Sequence, residues 1–141
     1  MSLHDDLLAQ ADFLARIEPK RPKQESLRRA VSSACHALLH LLTWETSRLD
    51  AEDFGPASRV DESLDQSSDL QFVAATFTTL QQLRRQAGHD SMRKFSRQEV
   101  LALVAQARRA FDAWGRIRGT DEARVFLASF RRREERIQSP P

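Results

Sequence analysis

The sequence predicts an all-α fold, an antiparallel bundle of about five helices, and three observations predict it. Apolar residues recur at helical spacing through every long stretch. Cap residues stand at the starts of several of these stretches. No stretch alternates apolar and polar residues as a half-buried strand would, and no repeat of solenoid period occurs, so short connections between helices favour antiparallel neighbours.

The first helix is expected over residues 3 to 18. Ser2 can cap it, with Asp5 three residues later completing an acidic version of the capping box. Leu3, Leu7, Leu8, Ala11, Leu14 and Ile17 mark its apolar stripe, and His4 in its first turn reads as exposed. Glu18 to Lys23 form a short link in which Pro19 and Pro22 discourage helix continuation. A second helix over 24 to 50 buries Leu27, Ala30, Val31, Ala34, Leu38, Leu41, Leu42 and Leu49, with Cys35 beside them as a small hydrophobe. On its other side Arg29, His36 and His40 fall at intervals of seven and four, a candidate groove. Two histidines four apart can chelate a metal, but neither Arg29 nor Ser33 is a convincing third ligand, so no metal is expected.

Residues 51 to 68 read as an acidic, variable loop with a turn at Gly55-Pro56 and one helical turn at Val60 and Leu64. The third helix, 69 to 90, turns Phe72, Val73, Thr76, Phe77, Leu80, Leu83 and Ala87 inward and is expected to end at Gly88, in a positive-φ turn that swings His89 back. Ser96 and Glu99 form a capping box for a fourth helix over 97 to 117, closed by Gly119. Thr120 caps a fifth, docked through Val125, Phe126, Leu127 and Phe130, whose RRREER end reads as a solvated helix face. Trp44 and Trp114 are expected to fill the bundle ends or a subunit contact.

At 141 residues the chain is long enough for one domain, 1–141, with a substantial core. Lys and Arg total 22 against 20 acidic residues, a net charge of +2 that does not by itself identify a nucleic-acid binder. Nearly all the basic residues are arginine, which favours bidentate contacts to phosphate and carboxylate. The single Cys35 excludes an internal disulfide. No apolar run approaches the length of a membrane span, and MSLHDDLLAQ lacks the basic flank and apolar core of a signal peptide, so a cytoplasmic protein with no membrane contact is expected.

The strongest chemical candidates are Arg84 and His89, with Arg85 and Asp90 supporting. Histidine exchanges a proton near neutral pH, whereas arginine stays charged and holds phosphate. Cleavage of RNA by its own 2′-hydroxyl needs both capacities and no metal. On an ideal straight helix the two residues stand roughly 140° apart, so their cooperation depends on the turn at Gly88. Asp90 can orient His89 or pair with Arg84, Arg85 or Arg93. Without that cooperation, His89 is a helix C-terminal histidine stabilised by the macrodipole. There is no glycine-rich phosphate loop, no HExxH signature and no paired-cysteine site, and no cofactor is expected.

Three stretches, LRRAVSSACHALLH, FVAATFTTLQQLRRQAGHD and FSRQEVLALVAQARRAFDAW, together resemble the HEPN superfamily of small helical domains, in particular its stand-alone bacterial branch. Cys35-His36 stands where that branch often carries a tyrosine pair, and Arg84 to His89 matches the family's arginine, four residues, histidine motif. The resemblance implies a homodimer and a metal-independent endoribonuclease acting on RNA, of toxin–antitoxin or defence type. Arg84 would then contact the phosphate and His89 the transition state, with symmetry supplying a second copy of the pair. The resemblance equally implies an alternative, a noncatalytic HEPN-like scaffold partnered with a nucleotidyltransferase or an antitoxin.

Overall fold

The computed structural model describes residues 2–49 and 67–138, with side chains through residue 133. Five helices follow one another: α1 (Leu3–Arg16), α2 (Gln24–Ser47), α3 (Ser68–His89), α4 (Arg97–Ile117) and α5 (Asp121–Gln138). No strand occurs among the described residues. The expected turns at Gly55-Pro56 and at Val60 and Leu64 lie outside them.

Side-chain anchors fix the topology. His4 meets Trp44, and Ser33 Oγ donates to the Leu7 carbonyl at 2.8 Å, so α1 and α2 run antiparallel. Arg28 near the start of α2 reaches the end of α3. Arg116 on α4 pairs with Asp69 at the start of α3, so these two are antiparallel as well. Gln24 meets Phe95 and Glu45 meets Arg118, which makes α2 and α4 parallel partners across the core. The first four helices therefore alternate in direction, and α5 lies against one end. There Phe130 packs edge-on to Phe77, and Phe126 packs on Trp114.

Four of the five helices start where a side-chain cap can satisfy a free amide of the first turn. Ser2, Ser67, Ser96 and Thr120 accept from the amides of Asp5, Leu70, Glu99 and Ala123. α2 starts without a side-chain cap, after a link tied to the helices by polar contacts. Glu18 accepts from the Lys23 amide and the Ser26 hydroxyl, while Arg97 donates to the carbonyls of Ala15, Glu18 and Lys20. Gly119 has φ of 87°, which lets the chain turn from α4 into α5 without strain.

The core is one cluster fed by all five helices, with Leu8, Leu27, Leu38, Leu42, Leu70, Leu80 and Trp114 fully buried in it. Burying each such side chain contributes about 1.5–3 kcal/mol. The expected stripes hold with local corrections. α1 ends at Arg16 rather than 18, and Leu3 and Ile17 at its ends are exposed because the bundle has no neighbour there to cover them. α2 ends at Ser47 rather than 50. His4 is half-buried rather than exposed, packed edge-on against Phe111 with ring centroids 5.4 Å apart. Trp114 is an interior residue, whereas Trp44 lies at the surface with Arg48 4.7 Å above its ring. Among the described residues, no helix is long and apolar enough to cross a membrane.

Candidate functional site

The end of α3 differs from its sequence expectation. The helix runs unbroken through Gly88 to His89, and the Asp90 amide still donates to the Gln86 carbonyl at 2.9 Å. Gly88 has no positive φ. With no turn there, helical geometry leaves Arg84 and His89 roughly 140° apart around the axis, and no backbone bend in this chain turns His89 towards Arg84. The reason lies in α2. A positive-φ glycine ends helices by supplying partners to the last carbonyls, and here another group already supplies them.

That group is Arg28. Its guanidinium donates to the carbonyls of Gln86, Ala87 and Asp90, at 3.3, 2.9 and 2.9 Å, and also to that of Arg93. One cation thus satisfies the orphan Ala87 carbonyl, shares that of Gln86 with the Asp90 amide, and opposes the negative end of the α3 dipole. The connection to α4 is held from the same side. Gln24 donates to the Phe95 carbonyl at 2.7 Å and accepts from the Phe95 amide at 2.9 Å, as a neighbouring strand would. The Phe95 ring is buried, with the Arg93 guanidinium 4.3 Å and that of Arg28 5.7 Å from its centre. Arg93 also pairs with Glu99, holding its carboxyl below the usual range.

Arg84 turns towards α2. Its guanidinium is close enough to act electrostatically on two successive residues there, favouring the charged form of the Cys35 thiol and opposing charge on His36. Burial pushes the Cys35 thiol up, and Arg84 only partly offsets this, so the thiol stays protonated at neutral pH. The His36 imidazole is held below its ordinary value, first by partial desolvation and then by Arg84. Among the described residues no carboxylate counters either effect.

His36 and Arg29 share a groove of about 340 Å³ between α1, α2 and the end of α3, together with Gln10, Arg28 and Ser32 above an apolar floor of Leu7 and Leu14. His40, expected in the same row, is instead close enough to His4 on α1 to influence its charge. Of the supporting residues, Arg85 is exposed. Asp90 turns back on its own chain, accepting from the Met92 amide at 3.0 Å through one carboxylate oxygen, an Asx-turn contact. Among the described residues no three His, Cys, Asp or Glu side chains gather as a metal ion would require.

The residue that sequence reasoning missed is Arg28. The only signal was its place beside Arg29 in an Arg-Arg pair on α2, one member of which borders the apolar stripe. The fold and the groove define an all-helical, five-helix protein with a concentration of cationic side chains where α2 meets α3. No family model, curated protein or solved structure matches the chain.

Proposed function

We propose that the chain is a helical binding protein that holds RNA by its phosphates on the face where α2 meets α3. One observation carries this reading. Arg28, Arg29 and Arg84 stand around the junction of the two helices, and none has a carboxylate partner among the described residues, whereas Arg16, Arg93, Arg116, Arg118 and Arg124 each sit on one. In a chain with nearly equal numbers of acids and bases, uncompensated guanidinium groups at one junction favour an anionic ligand from outside. Phosphate contacts of this kind give affinity without reading sequence.

A second reading is the HEPN-type, metal-independent endoribonuclease. Its support is that Arg84 and His89 are both exposed, at the end of a helix that ends at the surface. In a homodimer, Arg84 of one protomer could then meet the histidine of its partner even though the two residues face different directions within one chain. A noncatalytic scaffold partnered with a nucleotidyltransferase or an antitoxin uses the same face for an acidic protein surface.

One experiment separates these readings. A varied RNA pool is incubated without added metal with the parent, R84A and H89A, matched for fold and oligomeric state, and both retention and cleavage are followed. The binding reading expects retained, uncut RNA, weakened about tenfold by R84A, the worth of one charge-assisted contact, and little changed by H89A. Cleavage products lost equally in both variants would establish the second reading. No retention by the parent, with a protein co-purifying, would leave the scaffold.

A further inference from the structure

The groove beside α2 has a lining that suits a particular form of phosphate. Arg29, Ser32 and His36 follow one another at intervals of three and four on α2 and all line it, so they share one helical face. Gln10 lines it from α1, and among the described residues no carboxylate lines it. Ser33, a further lining hydroxyl, is already committed to the Leu7 carbonyl, and Arg28 to backbone carbonyls. Arg29, Ser32 and His36 make no such internal bond among the described residues and remain as donors.

The end of α3 would ordinarily oppose an anion here, because Ala87 lines the groove and the last carbonyls carry the negative end of the helix dipole. Arg28 removes that objection by covering those carbonyls with a positive charge that has no carboxylate of its own. Arg84 adds a second positive charge beside His36.

We propose that this groove is a subsite for a phosphomonoester, taking the phosphorylated end of an RNA strand or a free phosphate, with Arg29, Ser32 and His36 as its donors. The RNA source, though not the phosphate chemistry, rests on the function proposed above. A phosphomonoester carries a charge of roughly −1.5 to −2 and three terminal acceptor oxygens, against the single charge of an internal phosphodiester. A guanidinium, a hydroxyl and an imidazole N–H supply donors for all three. A volume of about 340 Å³ lies at the lower end of ligand pockets, room for one terminal nucleotide above the Leu7 and Leu14 floor.

The test has two arms. In the first, inorganic phosphate is titrated into the parent while the His36 imidazole is followed by proton NMR. Arg84 acts on that ring and Arg28 and Arg29 line the same groove, with no carboxylate there among the described residues, so binding of phosphate must raise the pH at which His36 titrates. In the second, matched RNA oligonucleotides with a 5′-phosphate or a 5′-hydroxyl are compared. The parent is expected to favour the phosphate end by about tenfold, and R29M, an exposed position whose change spares the core, to lose that preference. Equal affinity for both ends with His36 unmoved by phosphate would overturn the subsite while leaving RNA binding intact. A His36 response to phosphate without binding of either RNA would keep the subsite and remove the RNA reading.

Discussion

The Arg28 guanidinium donates to the Ala87 carbonyl at 2.9 Å, and this bond from α2 to the last turn of α3 replaces the glycine turn that would otherwise end the helix. Removing it leaves several carbonyls short of a partner. R28M is therefore expected to destabilise the fold by about 1–3 kcal/mol, a moderate value because the site is only part-buried and water can take over some of the bonds. Urea unfolding measures it, and a change under about 0.5 kcal/mol would mean the clamp is ornamental.

Gly88 and Gly119 should respond in opposite senses. Gly88 lies inside a helix, and a Cβ added there would meet nothing within 4 Å. G88A is expected to stabilise by about 0.5–1 kcal/mol through the lower entropy of the unfolded chain. G119A places a side chain at a φ of 87° and is expected to cost about 1 kcal/mol or more. Thermal unfolding of the two variants checks both signs, and destabilisation by G88A would show that the chain turns there after all.

Phe95 joins the α3–α4 connection to the core. It is 3% exposed, and its ring supports Arg93. F95A is expected to cost about 3–5 kcal/mol, the range for deleting a buried aromatic ring. Amide exchange should speed up first at residues 90–96, and uniform loss of protection would place Phe95 in the general core instead.

Acid should weaken the fold before the carboxylates titrate. The folded-state values of His4 and His36 both lie below 6.5, in each case mainly because burial disfavours the charged imidazole. A group depressed on folding contributes stability that is present above its unfolded value and lost as pH falls through the folded one. Stability is thus expected to fall as pH drops through the ordinary histidine value of 6.5 and below it, and to fall less in the H4Q/H36Q double variant. Asp5, Asp69 and Glu99, also depressed, act only at lower pH, from ordinary values of 3.8 to 4.5. An identical slope in parent and double variant would exclude the histidines as its source.

The helices were legible in the sequence because their signals are local. Ser96 with Glu99 and Thr120 with Ala123 are contacts three residues apart, and the α3 stripe from Val73 to Ala87 follows from helical periodicity alone. The end of α3 was not legible for the opposite reason. Its Ala87 carbonyl is satisfied by Arg28, 59 residues away, and although helical periodicity sets Arg28 beside the apolar stripe, no local pattern says which distant carbonyl it reaches. Gly88 then needs no special backbone. His40 illustrates the same limit: it shares a helical row with His36, but the bundle turns one to the groove and the other towards His4.

The salt dependence of RNA binding tests the central claim most directly, because each phosphate-bound cation adds about one to the slope of log affinity against log salt concentration. If RNA lies on the α2–α3 face and His89 points away from it, R84A lowers that slope by about one and H89A leaves it unchanged. Equal losses of slope in R84A and H89A would contradict the account, since both side chains would then be meeting the same phosphates.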